Sequence, residues 1–289
     1  MPTVKEWVIG VLGAGRMGLA LASLIKRAGH EFVFYDVDSH ALERASMSGF
    51  RTADSLEELV SGVDAVMVAV SHSVVAQSLR EIREEIVARG SGRLRLVFDI
   101  ATFKEGIMRE YAGFPEDVMV ASAHPLFGPG ARHPGKHKVI VIPVPGRPEG
   151  AMSLAEIFSR AGFGVSIIDA DKHDKFMSYA IGLTYLIAVA SAVVVNRGGE
   201  VYAEFAGTTF RLLQILMGAV ANDSADFITY VITRPGVREL GKRLINSMWY
   251  ALEHPGKAAE ALKNLFRSEE VEAFYRKLYE CVEGCHDNA

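Results

Sequence analysis

Up to about residue 169 the chain alternates short apolar runs with longer stretches in which apolar residues recur every three or four positions. The runs are 7–12 (WVIGVL), 31–36 (EFVFYD), 65–70 (AVMVAV), 95–100 (RLVFDI), 118–123 (VMVASA), 139–144 (VIVIPV) and 164–169 (GVSIID). They are rich in Val, Ile and Phe and lack the alternation of a half-exposed strand, which predicts strands covered on both faces. Helix-like spacing occupies 16–28, 39–47, 55–61 and 73–89. Strand, helix, strand in repetition predicts an α/β fold, a doubly wound and mostly parallel Rossmann-type sheet with right-handed crossovers. From Lys172 onward no run reads as a strand. Asp169 and Asp171 offer helix caps, and Gly198-Gly199 and Pro235-Gly236 break helices. The expected division is therefore an α/β domain over 1–169 and an all-helical domain over 170–289. Six of the ten prolines lie between Pro125 and Pro148, which predicts irregular loops there, with 139–144 as an edge strand.

One stretch, Tyr179 to Val195, carries no charge. As a helix it would reach roughly 25 Å, short of the roughly 30 Å bilayer core. The expectation is a helix buried on all sides, within the helical domain or a dimer, and no membrane span. Charge changes the picture by exclusion. A net charge of -4 does not suit a nucleic-acid surface or an anionic membrane surface. The first residues lack a secretion signal's basic end and apolar stretch. The two cysteines, Cys281 and Cys285, are close together, so no disulfide framework spans the fold. A cytoplasmic location is expected, with those two thiols free.

The first run leads directly into Gly13-Ala14-Gly15-Arg16-Met17-Gly18, and helical spacing follows. A strand before and a helix after is the context in which a GxGxxG turn binds a dinucleotide. Gly13 permits the tight turn, Gly15 admits the pyrophosphate, and Gly18 lets the helix pack close to the strand. The second run ends at Asp36, whose carboxylate suits ribose hydroxyls and repels a 2′-phosphate. Val37-Asp38-Ser39-His40 supplies no arginine, so NAD is expected over NADP. Ligands in such sheets lie beyond the carboxyl ends of the strands, which places Val70, Ser71, His72, Ala101, Thr102 and His124 on the groove.

Hydride removal from a carbinol needs a base for the hydroxyl proton, and histidine titrates in the right range. Of nine histidines, His72 and His124 follow strands on that edge. His133 and His137 have a metal-like spacing, but Pro134 and Gly135 separate them, so no helix aligns them and no metal site is expected. His124 lies in SAHPLFGPG, where Pro125, Gly128 and Pro129 restrict the loop. A loop histidine bonded to backbone is the alternative.

Four motifs in order, GAGRMG, FDIATFK, SAHPLFGPG and KHDKFMSYAIGLTY, resemble the prephenate dehydrogenase family from about residue 7 to about residue 230. HP-aliphatic-FGP is the most selective of them. The resemblance implies NAD-dependent oxidative decarboxylation of prephenate, or of arogenate, in tyrosine biosynthesis. It also implies a nucleotide-binding domain followed by a helical domain that binds substrate and joins two subunits as a homodimer. By position it makes His124 the catalytic base, Thr102 a hydroxyl that orients the histidine or the substrate, and Lys104 a substrate-binding lysine. Arg211, in GTTFRLLQIL, becomes the anchor for a substrate carboxylate. Tyr185 stands where many members carry histidine; it can donate to a carboxylate but cannot become cationic. His173-Asp174 matches a family pair and is expected to fix a helix start.

Two other readings fit parts of the chain. GAGRMG also opens the β-hydroxyacid dehydrogenases, whose chemistry would require a lysine such as Lys172 or Lys175. A non-catalytic NAD-binding sensor would keep Gly13, Gly15 and Asp36 without needing His124 or Arg211.

Overall fold

The structure is a computed structural model that describes residues 6–196 and 205–284. It forms two compact units, Met1–Asp174 and Lys175–Ala289. Cys285 lies outside the described residues, while Cys281 is an exposed free thiol.

The first unit is built on eight strands: β1 (Val8–Leu12), β2 (Glu31–Tyr35), β3 (Arg51–Thr52), β4 (Ala65–Val68), β5 (Leu96–Asp99), β6 (Met119–Pro125), β7 (Lys138–Pro143) and β8 (Gly164–Ile167), in the order β3-β2-β1-β4-β5-β6-β7-β8. Helices α1 (Arg16–Ile25), α2 (Ser39–Met47) and α5 (Glu149–Arg160) cover one face; α3 (Leu56–Gly62) and α4 (Val75–Arg89) cover the other. Successive residues of a strand point to opposite faces, so both need apolar side chains. Met67 and Phe98 join Leu21, Ile25 and Phe158 on one side. Val66, Val68 and Val97 join Leu59, Leu79 and Ile82 on the other. This double coverage is why β1, β4, β5 and β6 read as continuous. Strand β2 alternates buried and accessible positions and β8 is mostly exposed, which corrects the expectation of cover on both faces for those two.

Strands β1 to β6 are mutually parallel, so their carboxyl ends share one edge. The sheet then reverses. Strand β7 pairs antiparallel with β6 and parallel with β8. This corrects the edge-strand expectation for 139–144, because β7 is hydrogen-bonded on both sides. Its single proline, Pro143, sits at the very end, where a missing N–H does not break the ladder. Gly150 lets α5 lie against β6, since a Cβ there would meet the Val120 carbonyl oxygen at 2.2 Å. Helix α6 (Ala170–Met177) follows β8.

Among the described residues the second unit is helical: a π-helical turn (Ser178–Leu183), α7 (Thr184–Asn196), α8 (Thr208–Ala221), α9 (Ala225–Thr233), α10 (Pro235–Glu253), α11 (Pro255–Asn264) and α12 (Ser268–Gly284). Gly182 seats the π turn against α10, where a Cβ would meet Val237 at 2.3 Å. The expectation of a helix buried on all sides is not met within this chain. Only Ala188 of α7 is buried, while Val193 and Val194 are exposed. The helical run Ala170–Asn196 is long and apolar enough to cross a membrane, and its most apolar window is 17% buried.

Candidate active site and cofactor groove

The glycine turn connects β1 to α1 at the carboxyl edge of the sheet. Gly13 has a φ of +106°, and a Cβ there would lie 2.7 Å from the Ala69 carbonyl, so glycine is required twice over. A Cβ on Gly18 would lie 2.6 Å from the Gly13 carbonyl oxygen. Gly15 differs: a Cβ would meet nothing within 4 Å. It is the N-cap of α1 and makes no side-chain cap, so the first N–H groups of that helix have no intrahelical acceptor. Open space in front of a helix N-terminus is what a pyrophosphate needs. Arg16 is exposed and Met17 half-buried beside it.

Asp36 follows β2. One carboxylate oxygen accepts from the Ala14 N–H at 2.7 Å and the other from the Asp38 N–H at 2.9 Å. The carboxylate thus fixes the glycine turn and retains lone pairs for a ribose. Val70 and Ser71 follow β4 and Ala101 follows β5, on the same edge, each at least partly accessible. The residues present fit a dinucleotide.

A buried polar cluster lies beside this edge. His124, near the end of β6, is 5% exposed, and Asp99, at the end of β5, is fully buried. The Lys104 ammonium donates to Asp99 Oδ1 at 3.0 Å, to the Ala101 carbonyl at 2.6 Å and to the Ala123 carbonyl at 2.7 Å. Three acceptors around Nζ call for three N–H donors, hence the charged form. Burial pulls the Lys104 pKa down, and Asp99 opposes that. The Tyr111 hydroxyl donates to Asp99 Oδ2 at 2.7 Å. Burial, with Asp99 adjacent, pushes that phenol well above its ordinary range.

His124 Nδ1 lies 3.0 Å from His173 Nε2, and His173 Nδ1 lies 2.8 Å from Asp174 Oδ1. Asp174 also accepts the backbone N–H groups of Lys104 and Glu105, at 2.9 and 2.8 Å. Burial first, then the Lys104 ammonium, then His173, hold the His124 pKa well below that of an ordinary histidine. Burial also lowers His173, though Asp174 opposes the shift. At neutral pH both rings are uncharged. His124 is thus an uncharged imidazole whose Nδ1 is engaged by His173.

The expected site residues fall into place unevenly. The His124 imidazole bonds His173, while Thr102 is half-buried after β5. His173 and Asp174 lie within α6 and bond His124 and the Lys104 and Glu105 backbone N–H groups. Nothing in the sequence spacing of 49 residues announces the contact between the two histidines. Lys104, expected as a substrate-binding lysine, directs its three donors at protein acceptors. In the second unit Tyr185 donates its hydroxyl to the Asp223 carboxylate, and burial with that carboxylate pushes its pKa up. Arg211 is exposed in the first turn of α8, its Nε donating to the Ala206 carbonyl at 3.2 Å. A shallow cavity of about 480 Å³ is lined by Phe127, Arg132, His133, Lys136 and His137, and none of the cluster residues borders it. Among the described residues no group of His, Cys, Asp and Glu could hold a metal.

Residues 8–106 match the NAD-binding domain of 6-phosphogluconate dehydrogenase. A prephenate dehydrogenase from A. aeolicus, solved with hydroxyphenyl propionate and NAD+, superposes over 94% of this chain and 99% of its own, with a TM-score of 0.74 and 16% identity. The fold is that of the prephenate dehydrogenases. An arogenate dehydrogenase from Synechocystis shares it over 97% of this chain and 99% of its own (TM-score 0.61, 17% identity). Among curated sequences, an NAD(+)-dependent decarboxylating 6-phosphogluconate dehydrogenase from Haloferax volcanii is 40% identical over 18% of this chain, a match that spans 17% of that relative's length. That similarity lies in sequence and is local. The similarity to the prephenate and arogenate dehydrogenases lies in fold and runs through the helical unit as well.

Proposed function

We propose that the protein is an NAD-dependent dehydrogenase that oxidises and decarboxylates a cyclohexadienyl substrate, prephenate or arogenate, on the route to tyrosine. The observation that carries this reading is the neutral, buried His124, held by one ring nitrogen at the edge where the glycine turn opens. Bound NAD would supply the hydride acceptor. His124 Nε2 takes the C4 hydroxyl proton as the hydride leaves that carbon; burial first, then the adjacent Lys104 charge, keeps the imidazole neutral beforehand. Arg211 anchors a substrate carboxylate, with Tyr185 as a second polar contact, and Thr102 orients the substrate from the β5 loop. Loss of CO2 makes the ring aromatic, so the reaction needs alignment more than driving force. Asp36 favours NAD over NADP.

The protein acts as a cytoplasmic homodimer in this reading. The apolar side chains that the helical unit leaves exposed, among them Val194, Trp249, Leu252 and Phe274, are supporting observations. A second copy would cover them in water, and light scattering of the purified chain measures its mass.

The test is a side-by-side assay of prephenate and arogenate, each with NAD and NADP. Turnover is expected with NAD, and His124→Asn should lower kcat by roughly 10²–10⁴-fold with NAD binding retained. Near-normal turnover in that variant removes His124 from the role. Arg211→Ala should raise the substrate KM at least about tenfold, the scale of one lost charged hydrogen bond; an unchanged KM returns Arg211 to the surface.

The local match to the 6-phosphogluconate dehydrogenase domain favours a second reading, a β-hydroxyacid-type enzyme with a lysine acid–base. Lys172, however, is 70% exposed and paired with Asp169, and Lys175 is exposed. Neither is held as a catalytic base would be. Activity on 3-hydroxy acids, with none on prephenate or arogenate, would favour it.

A further inference from the structure

We infer that Asp174, His173 and His124 form a relay that fixes the tautomer of the base and holds the substrate's proton until the product reclaims it. The inference rests on the proposed role of His124. The first part follows from hydrogen-bond bookkeeping. A carboxylate oxygen only accepts, and Asp174 Oδ1 lies 2.8 Å from His173 Nδ1, so His173 carries its proton on Nδ1. A neutral His173 then presents a lone pair at Nε2. The atom facing it at 3.0 Å, His124 Nδ1, must be the donor. His124 is left with its lone pair on Nε2, the nitrogen required of a base. Asp174 is itself held by the Lys104 and Glu105 backbone N–H groups, so the chain of three starts from a fixed point.

The second part follows from where a positive charge is tolerated. The charged groups facing the pair are Lys104, Asp99 and Asp174, with the Tyr111 phenol protonated on Asp99. The Lys104 ammonium opposes charge on both rings. Asp174 and Asp99 favour charge on His173, while nothing comparable favours it on His124. A proton arriving at His124 Nε2 therefore drives the Nδ1 proton across to His173 Nε2. The imidazolium then sits against a carboxylate.

The chemistry balances. The substrate O–H bond breaks and an N–H bond forms on His124, while bound NAD would accept the C4 hydride. The C1–carboxylate bond breaks, its electron pair enters the ring, and CO2 leaves. The C4 oxygen, now a phenolate, takes the proton back from His124 as His173 returns its own. No net proton remains in the cluster, which suits a His173 with no solvent exposure. His173 never touches the substrate; it is a positioning residue.

The first test needs no turnover. In ¹⁵N-labelled wild-type protein the imidazole shifts of His124 are expected to show Nδ1–H with bare Nε2 at neutral pH. On acidification His173 should charge before His124. The opposite tautomer, or His124 charging first, overturns the relay whatever the substrate proves to be. The second test uses His173→Gln, whose amide can still accept from His124 and donate to Asp174 but cannot hold a proton. NAD affinity and substrate KM should stay within about threefold while kcat falls about 10–100-fold, the scale of lost outer-shell partners. The solvent-isotope proton inventory should change from curved to linear. Wild-type kcat and a wild-type inventory in this variant overturn the relay and leave the proposed function standing. A wild-type chain inert towards both substrates overturns the function, and the ¹⁵N result still decides the tautomer.

Discussion

Lys104→Met separates a lysine that binds substrate from one that holds the cluster together. In the wild type its ammonium has no exposed side-chain surface and meets one carboxylate oxygen and two carbonyl oxygens. Methionine fills similar volume and supplies no donor. Asp99 stays buried with the Tyr111 hydroxyl and the Ala101 N–H but without a countercharge. Breaking a buried pair from one side costs about 3–5 kcal/mol. For a domain of this size each kcal/mol moves the melting midpoint by about 2–4 °C, so a drop of about 6–20 °C is expected. Asp99→Asn in the same background removes the stranded charge while keeping an acceptor, and should recover a large part of the loss. Thermal unfolding by circular dichroism on the two single variants and the double measures the cycle. A melting point within about 2 °C of wild type, coupled to a raised substrate KM, would refute the buried-pair argument and make Lys104 a ligand contact.

The glycine turn yields an opposed pair of outcomes. Gly15→Ala should melt like the wild type, since its Cβ meets open space, yet bind NAD at least about tenfold more weakly, as the methyl occupies the phosphate's approach. Gly13→Ala should lower the melting point as well, because of its positive φ and the Ala69 carbonyl. Calorimetric titration with NAD and thermal melts measure both. Acid should also weaken the fold. His30, His124 and His173 all have folded pKa values below the unfolded value near 6.5, so below that pH the unfolded chain binds more protons. Their contribution is complete above pH about 6.5 and is lost as pH falls towards the folded values. Melts at pH about 7.5 and 5.5 should show the lower midpoint in acid, and equal midpoints would count against the buried neutral rings.

How far the sequence discloses this molecule depends on how local each cause is. Seven strands are legible as runs of Val, Ile and Phe, most plainly β1, β4, β5 and β6, where cover on both faces demands apolar residues throughout. Strand β8 is legible by composition although it is mostly exposed. Strand β3 has two residues, too few to carry any pattern. The reversal at β7 is not legible, since a strand's composition does not encode its direction, and the prolines around it suggested an edge. The glycine turn and Asp36 are read from spacing because their geometry is one βαβ unit. The bond between His124 and His173 joins segments far apart in sequence, and only the folded sheet brings them together. Helix α7 differs: apolar composition says that a surface must be covered, not whether this chain or a second copy covers it.

The change of direction after β6 has a consequence for the imidazole. Parallel crossovers follow a strand with a helix, whose positive N-terminal end then points at the sheet's carboxyl edge, as α1 does after β1. His124 is followed instead by a hairpin connection, residues 126–137, whose helical content is the single 3₁₀ turn Pro134–Lys136. No macrodipole is therefore aimed at the ring from its own strand's continuation. Its basicity is set by burial and by the neighbouring Lys104 and His173, so the hairpin can vary in length and sequence without turning a helix dipole on the ring.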